Sequence, residues 1–342
     1  MIQELFPPHL PGRYDDLDSS DILLEYTFTL RRNIRGDKFP ARMSPSKRHS
    51  LADSLAQKIG QTHFGDEMYS VPFDELSPSE WRYLVERDFP ARILSPRRDG
   101  VAAFISQDEK LSVLLCSRDH LTMKVSSPGK SGSSSYPRLF FIENALKDSF
   151  EFAFDEQFGY LTSDLLSCGT GFRAGVLLLI PGIIILKKFD LLKETMLRYN
   201  LQVGIFSPDS VLAEATTRAS LGVSEEEIID SATGFAEEIA DVETRARKEL
   251  MDVLPLEIQD RVMKSFGLAA HSVLISLEEA TGILNRLLIG AVLGMLKLDK
   301  TDILELFYLI KPEHIRALTG ENLPLRELDM QRGKILRERL TG

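Results

Sequence analysis

Between Leu24 and Arg32 apolar and polar residues alternate strictly. Leu24, Tyr26, Phe28 and Leu30 share one side; Glu25, Thr27, Thr29 and Arg31 share the other. A period of two with β-branched and aromatic residues predicts a half-buried strand. Residues 101–106, 111–116 and 120–125 are short β-prone runs between polar turns, and 202–207 is another. Phe150, Phe152 and Phe154 alternate with Glu151, Ala153 and Asp155, which predicts a strand with one aromatic face. Residues 44–60 predict a helix, and Ser77-Pro-Ser-Glu80 opens another. Residues 126–137, SSPGKSGSSSYP, predict a mobile loop. Strands that follow one another without regular helices between them argue for an antiparallel sheet flanked by helices, in the α+β class.

From Ser224 the period changes to that of a helix. Ser224 and Glu227 form a capping box, and Ile228, Ala232, Phe235, Ile239, Val242, Ala246 and Leu250 recur at helical spacing. Pro255 suits the first turn of the next helix. Ser276 and Glu279 form a second box, opening a helix through Met295 whose apolar positions are too many for one stripe. It is expected to be buried all round, in a core or at a subunit interface. Thr301 caps a further helix, and 324–340 reads as a charged terminal one. The most apolar run, 176–186, is broken by Pro181-Gly182 and too short to cross a bilayer; it is expected to be a buried helix, a turn and a core strand. Three units are expected: an extended leader at 1–20, an α+β body at 21–252 and an all-helical unit at 253–342.

With 342 residues, 43% of them apolar and 27% charged, the composition is that of a globular protein. The net charge of −10 disfavours general nucleic-acid binding, which needs a basic face. Two cysteines, Cys116 and Cys168, imply no disulfide framework and fit a reducing cytoplasm. The N-terminal residues lack the pattern of a signal peptide. No metal-ligand cluster stands out.

Three stretches together carry a family pattern. They are Gly159-Tyr-Leu-Thr-Ser163 followed by Gly169-Thr-Gly-Phe-Arg-Ala174; Asp119-His120 after an apolar run; and Leu30-Arg-Arg-Asn33 before Phe39-Pro40. In this order and spacing the chain resembles the bacterial protein arginine kinases of the phosphagen (ATP:guanido) kinase superfamily, over about residues 20–342. Asp260–Gly267 and Lys334–Leu340 resemble that subgroup's C-terminal helical domain. The resemblance implies an antiparallel-sheet kinase domain, at 21–252, and a helical domain used for dimerisation, at 253–342. It implies transfer of the γ-phosphoryl of ATP to protein arginines, marking for a Clp ATPase/protease, and a small zinc-binding activator protein as partner.

The motifs that carry the chemistry depart from the family. Phosphoryl transfer is mostly positioning and charge neutralisation by Arg, Lys and Mg²⁺, and guanidinium attack also needs a carboxylate. Thr27 and Thr29 stand at the positions of two phosphate-binding arginines. Cys116-Ser-Arg118-Asp119-His120 has lost both glutamates of the N-E-E-D-H motif. Asp164 takes the place of a cysteine beside the substrate guanidinium; it could pair with a guanidinium or phosphoguanidinium nitrogen and is the one catalytic candidate. Cys168, four residues late, is read as a buried thiol. Gly169, Thr170, Gly171 and Arg173 remain as remnants of an ATP or phosphate site, Arg173 being the one phosphate-contacting arginine expected in place. His120 is either a leftover nucleotide contact or part of a structural turn. Val203, Pro208 and the displaced Asp209 stand where a fourth motif has its arginine and acid. Asp329 and Arg332 keep part of an allosteric phosphoarginine motif, with Leu328 for its first arginine; a solvated helix pair at i,i+3 is the favoured reading.

The expectation is therefore a degenerate relative acting as a dimeric binding or regulatory module in protein quality control. An active kinase using Asp164, Arg118 and Arg173, and a scaffold using only the helical unit, are the alternatives. No cofactor is expected beyond Mg-ATP, and that only if the family activity survives. A homodimer in the cytoplasm, with no membrane and no nucleic-acid partner, completes the picture.

Overall fold

A computed structural model describes residues 2–9, 22–62, 65–87, 98–206 and 210–341. In chain order the elements are α1 (Ile2–Leu5), β1 (Leu23–Arg32), α2 (Pro45–Gly60), β2 (Met68–Pro72), α3 (Pro78–Glu86), β3 (Ala102–Ser106), β4 (Leu111–Leu115), β5 (Leu121–Pro128), α4 (Pro137–Lys147), β6 (Phe154–Asp155), β7 (Gly159–Tyr160), β8 (Phe172–Leu179), α5 (Pro181–Ile185), α6 (Phe189–Arg198), β9 (Leu201–Ile205) and β10 (Leu212–Thr217). Six helices follow: α7 (Glu225–Val253), α8 (Pro255–His271), α9 (Leu277–Val292), α10 (Lys300–Leu309), α11 (Pro312–Thr319) and α12 (Leu325–Thr341).

Eight strands form one antiparallel sheet in the order β2-β3-β4-β5-β1-β8-β10-β9. The α+β expectation holds, with β1 central. Tyr26, Phe28 and Leu30 of β1 pack with Met123, Val125, Phe172, Ala174 and Val176 under the helices α2, α4 and α7. The other side of β1 carries Glu25, Thr27, Thr29 and Arg31. The register sets Thr29 opposite Arg173 on β8 and Lys124 on β5. One detail of the alternation differs. A register shift between Leu23 and Glu25 puts Leu23 in the sheet core and sends Leu24 to the core of the helical unit, with Leu179 and Val211.

Several sequence expectations are corrected. The run 176–186 has the opposite order, strand β8 first and the helical turn α5 second, because Pro181 ends a strand and starts a helix. Phe150–Phe154 is no continuous strand: Phe152 makes a single bridge to Ile34, and only Phe154–Asp155 pairs, with Gly159–Tyr160. The Ser-rich stretch is structured. β5 runs to Pro128, with Ser126 opposite Thr27, and a 3-10 helix spans Lys130–Ser134. The leader is not extended at its start, where Ile2 and Phe6 are buried against Tyr83 and Leu84 of α3. Residues 10–21 lie outside the described residues. The N-cap of α10 is Asp299, with Thr301 two residues inside.

The three capping boxes, at Ser77, Ser224 and Ser276, form as their spacing requires. α9 is buried at Ile283, Leu284, Leu287 and Leu288 within a single chain, against α8, α10 and α12. Its apolar surface therefore needs no second copy to cover it. No described helix is long and apolar enough to cross a membrane.

Glu86 at the end of α3 clamps the helical unit to the sheet. Its Oε2 accepts hydrogen bonds from the backbone N–H groups of Glu313 (2.9 Å) and His314 (3.2 Å) at the start of α11, and lies 3.1 Å from His314 Nδ1. Tyr83 stacks on the His314 ring at 4.6 Å. Burial raises the Glu86 carboxyl to about 7, and burial lowers His314 to about 2. The raised Glu86 contributes stability that is present below its ordinary 4.5 and lost as pH rises to about 7. The lowered His314 contributes stability that is present above its ordinary 6.5 and lost progressively as pH falls from that value toward about 2. Between those ordinary values the two cancel, since the folded chain holds its proton on Glu86 and the unfolded chain on histidine. Below the ordinary carboxylate value only the histidine loss continues. In Glu86→Gln the cancelling proton is absent. The loss should then begin near pH 6.5, making the variant about 2–3 kcal/mol more acid-sensitive between pH 7 and pH 4.5 than the parent. Urea denaturation as a function of pH checks this, and superimposable acid limbs would refute it.

Candidate functional site

β1, the turn between β4 and β5, and the loop before β8 meet at one buried carboxylate. Asp119 Oδ1 accepts from Asn33 Nδ2 and from the Ser163 backbone N–H, both at 2.7 Å, and Oδ2 accepts from Ser163 Oγ at 3.0 Å. Asn33 completes the knot: its Oδ1 accepts the His120 N–H at 2.9 Å and its Nδ2 also donates to the Leu161 carbonyl at 3.0 Å. His120 is fully buried. Its Nδ1 accepts the Ile34 N–H at 2.8 Å and its Nε2 donates to the Lys38 carbonyl at 3.0 Å, an assignment that fixes the tautomer. Burial lowers its pKa, which keeps it neutral. Both ring nitrogens serve the turn after β1, which leaves neither for a nucleotide in this conformation.

Arg32 follows the same logic on the helix side. It is 1% exposed and donates to Glu143 at 2.6 Å and to the Thr170 carbonyl at 2.8 Å, beneath the Tyr160 ring at 3.5 Å. A Cβ on Gly171, whose φ is +65°, would stand 2.6 Å from the Arg31 carbonyl oxygen and from Arg32 Nη1. A Cβ on Gly169, at φ +100°, would meet the Ser220 carbonyl oxygen at 2.6 Å. The Gly-Thr-Gly turn is thus required by close backbone approach. Thr170 spends its hydroxyl on the Phe172 N–H at 3.2 Å.

The polar face above this framework gathers two arginines about one carboxylate. Asp164 Oδ2 lies 3.7 Å from Arg31 Nη1 and 3.6 Å from Arg173 Nη1. Asp164 also caps the short turn at Leu165–Ser167, accepting from the Leu166 N–H at 3.1 Å and from Ser167 Oγ at 3.1 Å. Arg31 donates to Ser167 Oγ at 2.6 Å, while its buried Nε has no partner among the described residues. Arg173 donates through Nε to the Thr217 carbonyl at 3.0 Å, and through Nη2 to the carbonyls of Thr217 and Arg218. Burial lowers the pKa of both guanidinium groups; Arg118 also lowers that of Arg31, and Arg31 that of Arg173. Arg118 itself is exposed.

Arg31 is a site residue that the motif comparison passed over, and Arg173 is not alone. The signal was present in the alternation, since Arg31 shares the side of Thr27 and Thr29. Thr27 donates to Glu25 Oε1 at 3.2 Å and meets Ser126 Oγ of β5 at 3.4 Å. Val203 packs with the helix-covered core beside Ala215, away from the polar face. Pro208 and Asp209 lie outside the described residues. Cys168 is buried 3.8 Å from Thr162 Oγ1. Cys116 is also buried, which pushes its thiol up to about 12.

Asp329 and Arg332 lie elsewhere, on α12. They form an i,i+3 pair at 2.6 Å, but Arg332 is 1% exposed rather than solvated, and it donates to the carbonyls of Ile275 and Ile310 at 2.8 Å. It is tied into the helical core. Leu328 is buried with Ile315 and Leu323. No group of three or more residues able to hold a metal occurs among the described residues.

The sheet and the arginine-lined polar face define a guanido phosphotransferase framework. The family model described as "ATP:guanido phosphotransferase, C-terminal catalytic domain" matches residues 51–246, and that described as "Protein-arginine kinase McsB C-terminal domain" matches 255–342. A protein-arginine kinase of Halalkalibacterium halodurans is 29% identical over 337 residues, spanning 96% of this chain and 95% of its own. One of Bacillus cytotoxicus is 30% identical over 348 residues, spanning 99% and 97%. Among solved structures, the duplicated taurocyamine kinase from Schistosoma mansoni, with transition-state analogue components, superposes with a TM-score of 0.59 at 22% identity, over 66% of this chain and 34% of that one. Lombricine kinase superposes with a TM-score of 0.58 at 16% identity, over 74% and 79%. The chain belongs to the ATP:guanido phosphotransferases and, within them, to the protein-arginine kinase family.

Asp119→Ala should lower stability by roughly 2–4 kcal/mol, because it removes the buried acceptor of three hydrogen bonds, one from buried Asn33 and two from Ser163. Asp119→Asn, which keeps one acceptor oxygen, should cost about 1–2 kcal/mol. Urea denaturation of both variants measures this; an Asp119→Ala variant as stable as the parent would refute the knot.

Proposed function

We propose that this member of the protein-arginine kinase family does not transfer phosphate and serves as a binding or regulatory module in protein quality control. The observation that carries the reading is the Arg31–Asp164–Arg173 cluster. The cations that would meet a triphosphate face a carboxylate of the same chain, and that carboxylate is already engaged by two arginines, an N–H and a hydroxyl. An acceptor so engaged is a poor general base. Threonines at positions 27 and 29 add no charge. The residues present therefore do not fit Mg-ATP as a clamp, and no catalytic step is assigned to them. Phosphoarginine fares no better in this arrangement, since Asp164 and Arg173 would have to release each other to receive its two ends.

The active alternative draws support from one observation, the unpartnered Nε of Arg31, which leaves a donor for an anion. Purified protein with Mg-ATP and an arginine-rich protein substrate should yield no phosphoarginine by mass spectrometry. Phosphoarginine that disappears in Asp164→Ala would establish the active reading instead.

Family membership supports a zinc-binding activator and a Clp ATPase as partners, and a homodimer through the helical unit, which exposes Val253, Leu256, Val273 and Leu325. Light scattering at micromolar concentration should give twice the chain mass, falling to a monomer when 255–342 is deleted. A monomeric full-length chain would reject the dimer.

A further inference from the structure

The seam between α5 of the sheet unit and α8 and α9 of the helical unit forms a half-open cavity of about 530 Å³. Its floor is apolar, built from Ile184, Val211, Ile258 and Ile289. The charged residues that line it are all cationic: Lys187, Arg261, Lys264 and Arg286. In a chain of net charge −10 that is a local inversion of sign. Lys264 pairs with Asp260 at 2.7 Å, whereas the side chains of Lys187, Arg261 and Arg286 have no ion pair or hydrogen bond among the described residues.

The walls are fixed. Ile258, Arg261, Val262 and Ser265 fall at i, i+3, i+4 and i+7 and so present one face of α8, opposite Arg286 and Ile289 of α9. α5 is anchored by Glu243 of α7, which accepts the N–H groups of Gly182 at 2.8 Å and Ile183 at 2.9 Å. Lys187, just past α5, is held at φ +55°, a left-handed conformation that a lysine rarely adopts. Three unpaired cations above an apolar floor, in a volume within the roughly 300–1,000 Å³ usual for small ligands, match one chemistry.

We propose that this cavity binds a small amphipathic organic anion, a phosphate or carboxylate head on an aromatic or branched apolar body. The head meets Lys187, Arg261 and Arg286, and the body lies on the isoleucines. The site shares no residue with the Arg31–Asp164–Arg173 cluster or with Asp329 and Arg332, so it stands whether or not the sheet face transfers phosphate. Because its walls come from both units, occupancy ties them together.

Calorimetry with 1-naphthyl phosphate, 1-naphthoate, 1-naphthol and inorganic phosphate on the full chain tests this. At least one of the two naphthyl anions should saturate one site per chain, and the tighter of them names the head group. Naphthol and inorganic phosphate should bind about tenfold more weakly or worse. Arg261→Ala with Arg286→Ala should weaken the anion by about tenfold or more, Arg286→Lys by no more than about threefold, and the surface control Arg198→Ala not at all. The bound anion should also raise the melting temperature of the parent and not of the double variant, with unliganded melts alike. Absence of saturation by either naphthyl anion, naphthol binding as tightly as the anions, or a double variant that binds like the parent would overturn the proposal.

Discussion

Everything on the polar face depends on where the Asp119 carboxylate is held. It is almost wholly buried and joins three segments far apart in sequence: Asn33 after β1, its own β4–β5 turn, and Ser163 in the loop before β8. A buried carboxylate tolerates such a position only when its lone pairs are filled, and here three donors fill them. The same knot aligns the end of β1, and so Arg31, with the loop that carries Asp164. His120 locks the following turn with its two ring nitrogens. The motif residues shared with the family therefore have a structural reason to persist that is independent of catalysis.

What the framework presents is a pair of arginines already turned on one carboxylate of the same chain. Preorganised cations accelerate phosphoryl transfer when they face the developing charge of the substrate. In this chain two of them face Asp164, and a third, Arg118, lies close enough to Arg31 to lower its pKa. Removing even one strong electrostatic contact costs on the order of 3–4 kcal/mol of transition-state stabilisation, more than a hundredfold in rate. The fold is shared with solved structures at about 20% identity, and a shared fold does not by itself carry the charge pattern of a reaction.

Local patterns were legible in the sequence, and long-range ones were not. The capping boxes at Ser77, Ser224 and Ser276 involve residues three apart, and each forms. The alternation of β1 gave the central strand and both of its faces, apart from Leu24, which a register shift turns toward the helical unit. The order of strand and helix within 176–186 is not legible because β8 is buried along both sides, and a continuous apolar run has no period to separate the two. The alternation of Phe150, Phe152 and Phe154 misled for the opposite reason: its period was right, yet little backbone lies alongside to pair with. Arg31 escaped notice because the family motif assigns it no role, although strand parity placed it beside Thr29. The buried state of Arg332, and the bonds of His120, depend on backbone groups tens of residues away.

The central claim is that Asp164 occupies the arginines an incoming polyphosphate would need. Calorimetric titration of Mg-ATP into the parent and Asp164→Asn chains tests it directly. The parent should bind in the millimolar range, about 4 kcal/mol, and the variant about three- to tenfold more tightly, since partly exposed ion pairs at this separation are worth no more than ~1 kcal/mol each. Micromolar binding by the parent, or an Asp164→Asn chain that binds no better than the parent, would contradict it.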